Sequence, residues 1–281
     1  MRLSLPILAL VAALLALVPV ALAPVARAAV SDWRPLRDEE LLVIDTSRGR
    51  VTVVLRPDFA PRAVERILRL SREGVYDGLL FHRVIPGFVA QTGNPNNRDG
   101  GVSALPDLAP EFIFPADAER LAAVRRPAEA AEGFLGANPV VLDGKGRGWG
   151  AYCTGVAGMG RQEGVRTANS EIFFMLAPAR RLDHDYTVWG QVIEGQDVLA
   201  AIAPGEPPKA PDRMIRVRPA VDLPPAERPR LEILDPSGPG FARRLAEARR
   251  ARGADLGLCD LSVPVRGGSA SGVPGSARDP V

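Results

Sequence analysis

The stretch Phe81-His82-Arg83-Val84-Ile85-Pro86-Gly87-Phe88-Val89-Ala90-Gln91 sets an arginine, a glutamine and several apolar residues about a Pro-Gly turn. Alternation of Phe81, Arg83 and Ile85, then of Phe88 and Ala90, predicts two short strands with the turn between them. Side chains alternate along a strand, so this reading puts Arg83 on one face with Phe81 and Ile85, and His82 on the other. A second strand that carries Gln91 and Val89 onto the same surface would hold a cationic fork and an amide above an apolar floor. Such a surface suits an apolar ligand with a polar backbone. By the same alternation His82 reads as a structural histidine.

Upstream, Leu41 to Thr46 and Val51 to Leu55 are apolar β-rich runs joined by Ser47-Arg48-Gly49-Arg50, a hairpin signal. Pro61 opens a helical pattern with Val64, Ile67, Leu68 and Leu70 on one face, and Gly74 closes it. Downstream, Asn94 to Gly101 is loop, and residues 102–150 hold few strand signals. Ala116 to Val124 reads as a short helix. Gly144-Lys145-Gly146-Arg147-Gly148 has no strand before it and no Lys-Ser/Thr ending, so it reads as a hairpin tip and not as a phosphate loop. Strands resume at Trp149 to Cys153, Gly155 to Met159, Ile172 to Leu176, Tyr186 to Val192 and Met214 to Arg218, with a short helix at Val198 to Ile202. Eight or nine short antiparallel strands with two helices point to a mainly-β chain in a closed or nearly closed barrel. Past Pro219 one helical patch spans Gly240 to Arg252, and the run from Gly267 to Gly272 reads as disordered.

The first residues carry a different signal. Arg2 precedes an apolar run from Leu3 to Ala23, and Ala26-Arg27-Ala28 is an A-x-A cleavage site, so residues 1–28 are expected to be a cleaved signal peptide. Cleavage removes Arg2 and Arg27 from 35 basic residues and none of the 33 acidic ones, which brings the mature charge to balance. A chain that neutralises nucleic-acid phosphates would show a basic excess, so that class of partner is set aside. Lys145 and Lys209 are the lysines among many arginines, a compositional bias. Cys153 and Cys259 would meet an oxidising compartment after export. They read equally as one long-range bridge or as two free thiols, and neither has metal-ligand spacing to a histidine. No Ser-His-Asp ordering accompanies the two histidines.

The stretch Phe81 to Gln91 resembles the signature of the cyclophilins, β-barrel peptidyl-prolyl cis-trans isomerases, in which F-H-R-V-I-P-G-F is followed by a glutamine. Gly155-Val156-Ala157-Gly158-Met159-Gly160-Arg161 is similar to the family's G-x-x-x-M-A-N/R strand. Ser170-Glu171-Ile172-Phe173 stands in the place of S-Q-F-F, Leu182-Asp183 in that of L-D, and Val188-Trp189-Gly190 in that of V-F-G. The resemblance covers roughly residues 40–218, and Arg161 and Tyr186 favour the bacterial branch. It implies a closed eight-stranded antiparallel barrel with two capping helices over residues 38–220. To this are added a long insert at about 94–152 and a C-terminal extension at 221–281. Carried over position by position, it implies Arg83 and Gln91 as catalytic residues. Phe88, Val89, Gly160, Arg161, Phe173, Leu182 and Tyr186 would bind substrate. Departures stand at Glu171, Ile172, Arg181 and Gly160.

The chemistry asked of these residues is modest. Rotation about an X–Pro amide crosses a barrier of about 18–20 kcal/mol because resonance is lost at the perpendicular geometry. No covalent step is needed, only tighter binding of the twisted state. There the prolyl nitrogen regains a lone pair, and a guanidinium, always charged and presenting its donors in a fixed fork, suits it. The expectation is a periplasmic or secreted monomer that acts on proline-containing segments of exported proteins, without cofactor or metal and free of the membrane once the signal is cleaved. Its rivals are a proline-binding module of the same fold with little turnover, and an interaction protein that docks through the insert and extension.

Overall fold

The computed structural model describes residues 31–97, 103–127 and 129–268. The expected signal peptide and the tail beyond Gly268 lie outside the described residues. Strand β1 (Trp33–Pro35) is followed by the hairpin β2 (Leu41–Thr46) and β3 (Gly49–Leu55), then helix α1 (Pro61–Arg72). The signature stretch forms β4 (Arg83–Ile85) and β5 (Val89–Thr92). The insert supplies β6 (Phe114–Pro115), β7 (Ala122–Arg125), β8 (Ala131–Leu135), β9 (Asn138–Leu142) and β10 (Arg147–Gly150). Next come β11 (Val156–Met159), β12 (Ile172–Met175), β13 (Val188–Glu194), helix α2 (Gln196–Ala200) and β14 (Met214–Pro219). The extension ends the described chain with β15 (Arg230–Leu234), helix α3 (Pro239–Arg252) and β16 (Val265–Gly268).

Eight strands make one curled antiparallel sheet in the order β14-β2-β3-β13-β11-β12-β5-β4. The expected closure is not seen: among the described residues no ladder joins the edge strands β14 and β4, and the sheet stays a curled, open one. The isolated bridges Leu80–Arg213 and Val84–Gly205 join that side of the sheet. Inside the curl, Leu42, Ile44, Val51, Val53 and Leu55 pack with Phe81, Phe174, Trp189, Met214 and Val217. Ala63, Val64, Ile67 and Leu70 of α1 close the same cluster. Proline at the first turn lacks an N–H that would otherwise be orphaned. The next two amides, of Arg62 and Ala63, donate to Glu111 at 3.1 and 2.9 Å, so the insert caps the helix. Gly74, at φ +71°, turns the chain out of α1 as the sequence predicts.

Alternation fails at one informative place. Phe81 is fully buried in the core with Val84 and Ala90, and does not share a face with Arg83. Leu80 bridges Arg213, and the Phe81 amide donates to the Asp212 carbonyl at 2.9 Å, so the regular ladder with β5 begins only at Arg83.

The insert is also more regular than expected. Its strands form a five-stranded sheet in the order β6-β10-β9-β8-β7, and the expected helix at 116–124 is a single 3-10 turn at Ala118–Arg120 followed by β7. Alanines there carry high helix propensity. Pairing of Ala122 with the buried Phe134 overrides it, and Gly133 lets the two backbones approach, since a Cβ would meet Ala123 Cα at 2.9 Å. The expected hairpin tip lies between β9 and β10, with Gly144 and Gly146 at positive φ.

The extension is folded up to Gly268. β1, β15 and β16 make a three-stranded sheet, so Gly267 and Gly268, expected to be disordered, pair with Leu231 and Arg230. Phe241 and Leu245 of α3 pack with Val124, Phe134 and Val141 of the insert and with Leu41 and Val43 on the outer face of β2. A Cys153–Cys259 disulfide, one of the two alternatives open in the sequence, ties this layer to the segment between β10 and β11. The bridge spans a sequence separation of 106 residues. Replacing Cys259 by alanine should lower stability by about 2–5 kcal/mol, because the unfolded chain regains the freedom of that long loop. A urea midpoint unchanged from wild type under oxidising conditions would refute this.

Candidate active site

Three adjacent strands bring the key side chains into one row. In the ladders Arg83 of β4 pairs with Gln91 of β5, Gln91 pairs with Phe173 of β12, and Phe173 pairs with Gly158 of β11. Neighbouring strands lie roughly 4.8 Å apart, so cation, amide and ring stand side by side. Gly158 completes the row by its lack of a side chain: a Cβ there would meet Phe173 Cε2 at 2.8 Å and Cε1 at 2.9 Å.

The row opens onto a cavity of about 420 Å³, and all nine residues singled out in the sequence line it. Val89 and Phe173 form a buried floor that continues into the insert core through Phe114, Leu135 and Val140. Phe88, Leu182 and Tyr186 pack at its margin, and the Tyr186 ring meets Phe173 edge-on at 5.6 Å. Beneath, the ring of Tyr152 lies 5.8 Å from Phe173. Burial pushes the Tyr152 phenol well above its ordinary range, so it stays neutral in the floor. Arg161 is a wall rather than a free cation. Its guanidinium lies 4.5 Å from the Tyr186 ring centre, pairs with Asp185 at 2.8 Å and donates to the Gln162 and Glu163 carbonyls at 3.1 Å. Arg181, where many members of the resembled family carry an aromatic residue, lies 4.6 Å over the Phe88 ring.

Arg83 is held by a polar chain of which the sequence showed only the beginning. Its Nη1 donates to Gln91 Oε1 at 3.0 Å, and Gln91 Nε2 donates in turn to Glu171 Oε1. By accepting from the amide nitrogen, Glu171 holds Gln91 with its nitrogen inward and its oxygen toward Arg83. Asn94 Nδ2 lies 3.5 Å from Glu171 Oε2, and the buried His82 Nε2 lies 3.6 Å from the same oxygen. Gly160 makes room for this carboxylate: a Cβ would meet Glu171 Oε1 at 2.6 Å and Cγ at 2.8 Å. The two departures from the family pattern, Glu171 and Gly160, are therefore one spatial adjustment.

Glu171, Asn94, Gly158 and Glu206 belong to the site but were not singled out for it. Glu171 and Gly160 stood out as departures, which was a usable signal. Glu206, whose Oε2 accepts from Arg83 Nε at 2.7 Å, lies 123 residues away and carried none.

Residues 41–219 match the family described as cyclophilin type peptidyl-prolyl cis-trans isomerase/CLD. The chain belongs to the cyclophilins. It is 32% identical over 194 residues to a probable peptidyl-prolyl cis-trans isomerase of Brucella suis, covering 63% of this chain and 81% of that protein. A peptidyl-prolyl cis-trans isomerase of Schizosaccharomyces pombe is 30% identical over 156 residues, 55% of this chain and 79% of its own length. Among solved structures, a cyclophilin of Hirschia baltica aligns with a TM-score of 0.76 at 29% identity, covering 85% of this chain and 94% of that one. The protein is thus an enzyme of the peptidyl-prolyl isomerase class on a cyclophilin fold.

In this cyclophilin the ring of Phe173 depends on an empty position beneath it. Gly158→Ala should displace the ring, lower isomerase activity about tenfold and cost about 1–3 kcal/mol of stability, as overpacking does. An alanine variant with wild-type turnover of an X–Pro peptide would overturn this account of the floor.

Proposed function

We propose that this cyclophilin accelerates X–Pro rotation in exported proteins, with Arg83 stabilising the twisted amide. The observation that carries the reading is the in-register row Arg83, Gln91 and Phe173 facing one cavity. A proline ring fits against Phe88, Val89, Phe173 and Leu182, which are apolar and backed by a packed core. With the ring held, the amide nitrogen lies toward Arg83. In the planar amide that nitrogen has no lone pair to offer; at the twist it does, so a fixed N–H donor bonds the transition state in preference to either ground state. Gln91 and Glu171 keep the guanidinium in place through the transition, which spares reorganisation at the moment of rotation.

Removing a preorganised donor of this kind costs on the order of 3 kcal/mol, or about a hundredfold in rate. Arg83→Ala should therefore lower the NMR exchange rate of an X–Pro peptide at least about tenfold, with the fold unchanged by circular dichroism. Full activity in the folded variant would sink the mechanism. Arg181 over Phe88 is the observation that favours the rival reading, capture of proline segments with slow turnover. Peptide affinity and exchange rate measured on one sample separate the two.

Export is supported by the leader-like first residues and by the Cys153–Cys259 disulfide, a bond at home in an oxidising compartment. On this reading the protein works in the periplasm or outside the cell, as a monomer on proline-containing segments. Sequencing of the mature amino terminus should read from Ala29; a full-length chain retained in the membrane fraction would count against cleavage.

A further inference from the structure

We propose that Glu206 is a positioning residue for Arg83, holding its guanidinium so that one nitrogen is left for the substrate. The proposal rests on the reading of Arg83 given above. Glu206 Oε2 accepts from Arg83 Nε at 2.7 Å, and Gln91 Oε1 accepts from Nη1 at 3.0 Å. Among the described residues no hydrogen bond engages Nη2. Two anchors on different nitrogens fix the plane of the fork, whereas one leaves it free to turn about the side-chain torsions.

The backbone puts Glu206 there. Val84 and Gly205 exchange both amide hydrogen bonds, at 2.8 and 2.9 Å, and so lay the loop after α2 along β4. The residue after Gly205 then stands beside the residue before Val84. Gly205 has φ +146°, and a Cβ would meet Pro207 O at 2.8 Å, so the turn into Pro207 and Pro208 requires glycine. A carboxylate that sequestered Arg83 would bridge Nε and Nη2 together. Here the hydrogen bond that Glu206 accepts from Arg83 comes from Nε, and Arg83 lines the cavity.

Burial argues against a role in stability. The Arg83 side chain is 27% exposed and that of Glu206 51% exposed, and pairs so exposed contribute little to folding. Misplacement of a reacting group, by contrast, is felt strongly in rate. Loss of Glu206 is therefore expected to appear in catalysis and not in the unfolding midpoint.

The test compares wild type, Glu206→Ala, Glu206→Gln, Arg83→Ala and the Glu206→Ala/Arg83→Ala double variant in the full chain. Glu206→Ala should slow exchange of an X–Pro peptide about tenfold while peptide affinity changes less than about twofold. Glu206→Gln, which keeps an accepting oxygen, should recover most of the loss. In the Arg83→Ala background the same alanine should change nothing further. The Arg83 Nε–H signal in a ¹⁵N spectrum should be slowed in solvent exchange in wild type and lose that protection in Glu206→Ala. The proposal is overturned by unchanged exchange and unchanged Nε–H protection, by a rise in activity, or by a loss that persists without Arg83. A wild-type protein that does not isomerise would instead overturn the reading of Arg83, and Nε–H protection would still decide whether Glu206 holds it.

Discussion

The contact between Phe173 and the bare backbone of Gly158 is the constraint on which the rest of the site depends. It ties a pocket wall to the ladder registers, because Phe173 pairs at once with Gly158 and with Gln91. A slip of one residue in β12 would turn Phe173 into the core and bring Ile172 or Phe174 to the cavity. Both of those are now fully buried on the inner face, so the slip is opposed from both sides of the sheet. The position of Arg83 relative to the ring thus follows from packing that lies outside the cavity.

The insert and extension extend the same logic outward. β2 is buried at all six positions, with Leu42 and Ile44 turned to the curl interior and Leu41 and Val43 to the layer made by α3 and the insert sheet. Strands covered on both faces read as continuous apolar runs, which is how this one appears in the sequence. The insert sheet has two faces as well: Phe134 meets Phe241 of α3 edge-on at 5.5 Å, while Phe114 stacks on Phe59 at 3.8 Å beside the floor of the site. The insert's core is thus continuous with the floor of the site.

Sequence legibility followed the range of the interactions. β2, α1 and the β4–β5 turn were readable because their signals are local: an apolar run, a proline at the first turn and a Pro-Gly corner. The nine residues carried over by motif resemblance come together at one cavity. β7 was not readable, since Ala122 to Arg125 carries helix-forming residues and takes its conformation from pairing with β8. Glu206 was not readable either, because a backbone exchange between Val84 and Gly205 creates its place. Phe81 shows the limit of period-2 reasoning: the alternation holds only while the ladder holds.

Glu171 carries the remaining argument. In the family pattern a glutamine stands there, and an amide, by turning over, can present either its donating nitrogen or its accepting oxygen. Two amides facing each other have two satisfied arrangements, of which one turns the Gln91 nitrogen toward Arg83 and leaves two donors opposed. A carboxylate removes that choice, because it only accepts and so admits a single orientation of Gln91. Asn94 and His82 lie beside its other oxygen, and the methyl that would crowd it is absent at Gly160. What looked in the sequence like two losses from a motif is, in three dimensions, one way of holding an arginine still.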